Sequence, residues 1–85
     1  MIVTVTCASS EGKIAISALD ELDRALASLG LKREIRTPIV SGQSYVITYQ
    51  AADINQDSIN SAVAGVASKH SFNVTVEFEE SVSFP

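Results

Sequence analysis

Apolar and polar residues alternate in three stretches of this chain, which is the pattern of a β-strand with one buried face. The first stretch covers residues 2–7, where β-branched side chains predominate. Residues 44–50 and 73–80 alternate in the same way. We expect three strands here, and one face of the first strand is made of Val3, Val5 and Cys7.

Residues 31–40 form a fourth candidate strand. Pro38 weakens this strand, because proline has no N–H to donate to a sheet and is found mainly in edge strands. A Ser-Gly-Gln sequence at residues 41–43 favours a tight turn before residues 44–50. The sequence therefore predicts a β-hairpin made of these two strands.

A stripe of apolar residues at helical spacing follows the first strand and predicts an amphipathic helix. Gly30 lies where a left-handed residue would end this helix, and we expect it to cover most of residues 11–29. Two starts are open: Ser9 or Ser10 could cap the helix, or Ser17 could, with residues 13–16 then forming a short strand or an extended lead-in. The stripe consists of Ala15, Ala18, Leu19, Leu22, Ala25, Leu26 and Leu29.

A second helical stripe precedes the last strand. Asp53, with Gln56 three residues later, resembles a capping box, and Asp57 is the alternative N-cap. Because Gly65 lowers the helix propensity, we expect it to be present for close packing against a neighbouring element. The stripe consists of Ile59, Ala62, Val63, Val66 and Ala67.

The order strand–helix–strand–strand–helix–strand resembles the ferredoxin-like βαββαβ two-layer sandwich, an α+β fold, over nearly the whole chain. The resemblance implies a four-stranded antiparallel sheet of strand order 4-1-3-2 with both helices on one face. A short-helix variant with an extra N-terminal hairpin is the competing topology. In the third strand, either the odd or the even residues face the helices, and we expect the odd ones, Tyr45, Ile47 and Tyr49, to do so.

Size and charge narrow the possible functions. With 85 residues the chain has room for one domain, which we expect to span residues 1–85. The net charge of -4 argues against direct binding of nucleic acid, which requires a basic face. No apolar run approaches the length of a membrane span, and the first residues lack the basic start of a signal peptide. We therefore expect a cytoplasmic protein that does not contact a membrane.

Side chains suited to catalysis are scarce. The one cysteine, Cys7, excludes an intrachain disulfide and is expected to be a small core residue. The one histidine, His70, lies at the predicted C-terminus of the second helix, where the helix dipole favours a cation. The chain has no residue spacing typical of a zinc site, a calcium loop or a phosphate-binding glycine loop. We expect no catalytic residue, no metal site and no cofactor, and hence no enzyme.

Charge is distributed unevenly between the two predicted edge strands. The second strand carries Lys32, Arg33 and Arg36, while the fourth strand and its exit carry Glu77, Glu79 and Glu80. Charges at sheet edges deter aggregation. They also support a sharper hypothesis, in which edges of opposite sign meet between two copies or with a partner strand.

These observations favour a small protein-binding module (a regulator, an inhibitor or an assembly part) that binds a partner or itself through a sheet face or edge. Three alternatives stay open. The domain could sense a small ligand at a dimer interface, or it could be a small dimeric enzyme that uses Cys7, His70 or a tyrosine. It could also be a virus-encoded acidic antagonist of a nucleic-acid-binding protein, acting through the last strand or through Asp20, Glu21 and Asp23.

Overall fold

The computed structural model describes residues 1–10, 12–40, 43–52 and 55–79. The element order is the predicted one. The predicted turn residues Ser41 and Gly42, and Glu80 at the predicted end of the last strand, lie outside the described residues. In chain order the elements are β1 (Ile2–Ala8), α1 (Ile16–Ala27), β2 (Lys32–Val40), β3 (Ser44–Gln50), α2 (Gln56–His70) and β4 (Asn73–Glu79).

The four strands form one antiparallel sheet in the order β2-β3-β1-β4, so that β1 and β3 are central and β2 and β4 are the edges. The two helices contact each other, α1 packs against β2, and α2 packs against β4. This is the ferredoxin-like α+β sandwich that the sequence predicts, with both helices on one face. Neither described helix is long and apolar enough to cross a lipid bilayer.

Alternate residues of the two central strands form the sheet side of the core. Tyr45, Ile47 and Tyr49 of β3 are buried beneath the helices, which confirms the predicted orientation of the tyrosines. The helices contribute the other side of the same cluster, in which the most buried residues are Ala18, Leu19, Leu22 and Leu26 of α1 and Ile59, Val63, Val66 and Ala67 of α2.

The first helix begins later than the predicted range of residues 11–29. It starts at Ile16, the N-cap Ala15 has an extended conformation, and no side chain caps the helix. Ile14 explains the difference, because it is 6% exposed and enters the core from the extended segment, whereas Ile16 on the helix is 56% exposed. The helix thus covers most of the predicted range 11–29 but begins later, and none of the predicted serines caps it. The extended residues before Ile16 agree with the alternative of an extended lead-in. Gly30, at φ +89, does have the expected left-handed conformation.

The second helix has a different cap from either predicted one. Asn55 is the N-cap, and its side-chain oxygen accepts a hydrogen bond from the backbone N–H of Ser58 at 3.1 Å. Asp57 lies inside the first turn, and Asp53 lies outside the described residues. The expectation of close packing at Gly65 is wrong, since this glycine is exposed and a Cβ there would meet no atom within 4 Å.

Candidate interaction surface

The sheet face opposite the helices, which we call the open face, is built from cross-strand rows of side chains. Neighbouring strands place residues of the same face side by side, so that each row contains one residue from each strand. The two middle rows are Glu77–Thr4–Thr48–Ile35 and Thr75–Thr6–Val46–Thr37. Seven of these eight side chains are β-branched, and Glu77 is the charged exception.

The chemistry of these rows makes the open face stiff and poor in charge. A β-branched side chain has few χ1 rotamers and packs well on a pleated surface. Threonine adds a hydroxyl that donates and accepts hydrogen bonds. Ile35 is the large, well-exposed apolar side chain of these two rows, and 58% of it is exposed. The face therefore offers a preformed surface of methyl and hydroxyl groups.

A third row of the open face ends in opposite charges. It runs Glu79–Ile2–Gln50–Lys32 across the sheet. Lys32 is thus on the β2 edge, and Glu79 is on the β4 edge beside Glu77. Of the residues predicted to interact with a partner, three lie exposed on the open face, namely Lys32, Glu77 and Glu79. Their role in binding stays a prediction.

The other two predicted basic residues lie on the helix side of β2 and bind α1. Asp23 accepts hydrogen bonds from Arg33 at 2.9 Å (Nη1 to Oδ2) and from Arg36 at 2.7 Å (Nη2 to Oδ2). Arg36 also lies 3.4 Å from Asp20. On the other oxygen of Asp23, the hydroxyl of Tyr49 donates at 2.6 Å. We call these five residues the Asp23 cluster.

A β-bulge explains how both arginines reach the same helix. The register of β2 against β3 shifts between Arg33 and Ile35, so that Arg33 lies opposite Tyr49 and Arg36 lies opposite Ile47. In a regular strand, side chains alternate between the two faces. Without the shift, Arg33 and Arg36 would therefore lie on opposite faces of the sheet. The charge of Arg33 and Arg36 is consequently neutralised within the chain, and Lys32 is left as the basic residue of the β2 edge that faces away from the helices.

Burial within the Asp23 cluster changes the ionisation of its tyrosine. The side chains of Arg36 and Asp23 are only 17% and 21% exposed. Burial, followed by the hydrogen bond to Asp23, raises the pKa of Tyr49 far above its usual value, so the phenol stays protonated. The Nε of Arg36 is buried and has no hydrogen-bond partner among the described residues. These features indicate a cluster that joins α1 to the sheet.

His70 and Lys69, at the end of α2, bind a carboxylate of α1. Glu21 accepts a hydrogen bond from Lys69 Nζ at 2.9 Å, and its other oxygen lies 3.2 Å from Nε2 of His70. The hydrogen bond from Lys69 is the main reason that the pKa of Glu21 is lowered, and His70 adds to the effect. His70 thus links the two helices.

Cys7 is in the core, as predicted. Its side chain is 0% exposed, and burial raises the pKa of the thiol to about 11. Because the thiolate is the nucleophilic form of cysteine, this residue is poorly suited to covalent chemistry at neutral pH. In the described part of the chain, no group of three or more His, Cys, Asp or Glu residues is placed to hold a metal ion.

Comparisons with known proteins add no functional information. No protein-family model matches the chain, and no curated protein matches it. Among solved structures, the chain is similar to part of the crystal structure of formyltetrahydrofolate deformylase from Burkholderia mallei, at a TM-score of 0.49 and 16% identity. The similarity covers 89% of this chain and spans 27% of that protein. A similarity at this level carries nothing about activity.

Proposed function

We propose that the chain is a small, non-catalytic, cytoplasmic protein-binding module whose contact surface is the open face. The observation that carries the proposal is the run of seven β-branched side chains in the two middle rows. Side chains with few rotamers lose little conformational entropy when a partner covers them. A surface of this kind is therefore well suited to binding.

The distribution of charge on the open face supports the same function. Interfaces between proteins have a core that is poor in charge and a rim that is polar. Here the middle rows contain one charged side chain, and Lys32 and Glu79 lie at opposite edges of the sheet. We expect the partner to be a protein with a flat, uncharged patch, oriented by these two edge charges.

The groups that could support catalysis have structural roles instead, which favours a binding module over an enzyme. Cys7 is buried with a raised pKa, and His70 binds Glu21. The carboxylates of α1 are similarly engaged, since Asp23 binds two arginines and Asp20 lies near one of them. An acidic antagonist that relied on α1 would have to compete with these internal pairs.

A photo-crosslinking residue at Thr48, on the open face, tests this proposal in the cell that makes the protein. The control carries the same residue at Ser61, on the exposed side of α2. We expect one discrete crosslinked protein from Thr48 and none of it from Ser61. The captured protein, once purified, should then bind the purified chain in isothermal titration calorimetry.

Two isoleucines of nearly equal exposure give a matched pair of variants for that binding measurement. Ile35 on the open face is 58% exposed, and Ile16 at the start of α1 is 56% exposed. Ile35→Lys should weaken binding by about tenfold or more, because a charge enters the interface core, whereas Ile16→Lys should leave the affinity unchanged. Equal affinities for wild type and Ile35→Lys, or crosslinks from Ser61 alone, would overturn the proposal.

A further inference from the structure

The outer edge of β4 is an unbroken strand edge. β4 pairs with β1 over all seven of its residues without a shift in register, and it has no described neighbour on its other side. The opposite edge strand, β2, contains two register shifts and Pro38. Bulges and proline hinder the addition of another strand. Strand addition is therefore favoured at β4 and hindered at β2.

The helix side of β4 has apolar residues that are incompletely covered. They pack against the core but are only partly buried, whereas their pairing partners on β1 are fully buried. Charged residues are absent from this side of the strand. Among the described residues, an apolar row that is only partly buried thus reaches the β4 edge, and it consists of Val74, Val76 and Phe78.

We propose that β4 pairs with β4 of a second copy of this chain, antiparallel and around a two-fold axis at Val76. In an antiparallel ladder centred on one residue, directly opposite residues are both odd or both even, so the faces of the two sheets coincide. The four strands of each copy then form one eight-stranded sheet with all helices on one side. The inference goes beyond the proposed function, because it does not depend on what binds the open face.

With the two-fold axis at Val76, the apolar row of one copy pairs with the apolar row of the other. Val76 lies opposite its own counterpart, and Val74 lies opposite Phe78 on both sides of the axis. All seven residues of each strand are paired in this register. Apolar cross-strand pairs stabilise antiparallel ladders, and these three pairs cover the flank that a single copy leaves partly exposed.

The charged residues of β4 on the open face favour the same register. Around Val76, Glu77 lies opposite Thr75 and Glu79 lies opposite Asn73, so that each carboxylate meets a side chain able to donate a hydrogen bond. An axis at Glu77 would place that carboxylate directly opposite its own copy, which is destabilising. An axis at Thr75 would leave Glu79 opposite a residue outside the strand.

One repulsion persists in the preferred register. Glu77 of one copy lies diagonal to Glu77 of the other, within reach of a weak like-charge interaction. Salt screens this repulsion, so the dimer should strengthen as the ionic strength rises. Glu77→Gln should lower the dissociation constant about two- to fivefold, measured by sedimentation equilibrium.

Cysteine substitution on the open face tests the register directly. Thr75→Cys and Glu77→Cys are made separately in a Cys7→Ala background, at exposed positions that do not enter the core. Under mild oxidation, a mixture of the two proteins should form mixed disulfide dimers faster than either protein alone forms its own dimer. Ile35→Lys, on β2, should leave this crosslinking and the sedimentation behaviour unchanged, which separates a failure of this inference from a failure of the open-face proposal.

Two results would overturn the inference. Fastest crosslinking of Thr75→Cys alone or of Glu77→Cys alone would show a different register. A wild-type chain that sediments as a monomer at millimolar concentration in high salt, with no crosslinking in the mixture, would show that β4 does not pair with itself.

Discussion

The hydroxyl of Tyr49 on β3 donates a hydrogen bond of 2.6 Å to Asp23 on α1, and the second oxygen of that carboxylate binds both Arg33 and Arg36 on β2. One carboxylate thus joins the first helix to two neighbouring strands. Hydrogen bonds to an ionised group in a partly buried site are among the stronger ones in proteins. We therefore expect this contact to stabilise the packing of α1 on the sheet.

Replacing Tyr49 by phenylalanine tests that expectation. Tyr49→Phe removes the donor and leaves a partly buried carboxylate oxygen without it, so the free energy of unfolding should fall by about 1.5–3 kcal/mol. Urea unfolding followed by circular dichroism measures the loss. Tyr45→Phe is the matched control on the same face of β3, because the Tyr45 hydroxyl binds no described residue, and it should change stability by less than about 0.5 kcal/mol. Equal losses in the two variants would contradict a special role for the bond to Asp23.

The sheet could be predicted from the sequence because its signals are local. In β1, β3 and β4 a clean alternation decides which residues face the core, and the element order then leaves few topologies. The start of α1 could not be predicted in the same way. Ala15 supplies no capping side chain, and Ile14 enters the core from an extended segment whose path depends on the rest of the fold.

The geometry of the candidate interaction surface was predictable only where strand alternation holds. Lys32, Glu77 and Glu79 lie at opposite edges of the sheet, as the strand order implies. Arg33 and Arg36 lie on the predicted basic edge strand, but the sequence does not show the bulge in β2 that lets both reach α1. One signal was visible in advance: Asp20 and Asp23 are three residues apart and so share a helix face that can bind basic groups.

The contacts between Glu21 and the end of α2 should make the free energy of unfolding depend on pH. The pKa of Glu21 is lowered in the folded chain from its ordinary value of 4.5, mainly by Lys69. The unfolded chain then binds the proton more readily, so the stabilisation is complete above that ordinary value and is lost as the pH falls through the lower, folded-state pKa. Glu21→Gln removes the titrating group.

Thermal unfolding of wild type and Glu21→Gln between about pH 3 and pH 7 measures this effect. The wild type should melt at the higher temperature near neutral pH, and the difference should shrink at the acidic end. Glu34→Gln is the control for the loss of one negative charge, because Glu34 is exposed on β2 and makes no ion pair with a described residue. If the melting temperatures of wild type and Glu21→Gln differ by the same amount at every pH, the charge of Glu21 does not stabilise the fold as proposed.

Burial of Cys7 predicts a thiol that reacts only when the fold opens. The side chain is 0% exposed and its pKa is raised to about 11, so both access and thiolate population are low at neutral pH. Its reaction with a disulfide reagent should be slow in buffer and fast in denaturing urea. Ser61→Cys in a Cys7→Ala background, with the thiol on an exposed helix surface, should react rapidly in both conditions. Rapid reaction of native wild type would show that Cys7 is accessible.

Replacing Gly65 by alanine should stabilise the fold, although the sequence pattern predicted close packing at this glycine. The residue lies inside α2 and is exposed, and a Cβ added there would meet no atom within 4 Å. Gly65→Ala should therefore raise the free energy of unfolding by about 0.5–1 kcal/mol, because alanine loses less backbone entropy on forming a helix. Gly30→Ala gives the opposite test: space is also open there, but the backbone has φ +89, and a side chain should lower stability by about 1–2 kcal/mol. Denaturant unfolding of both variants distinguishes the two effects. A loss of stability in Gly65→Ala would mean that this side of α2 is covered by a contact that a single copy of the chain does not make.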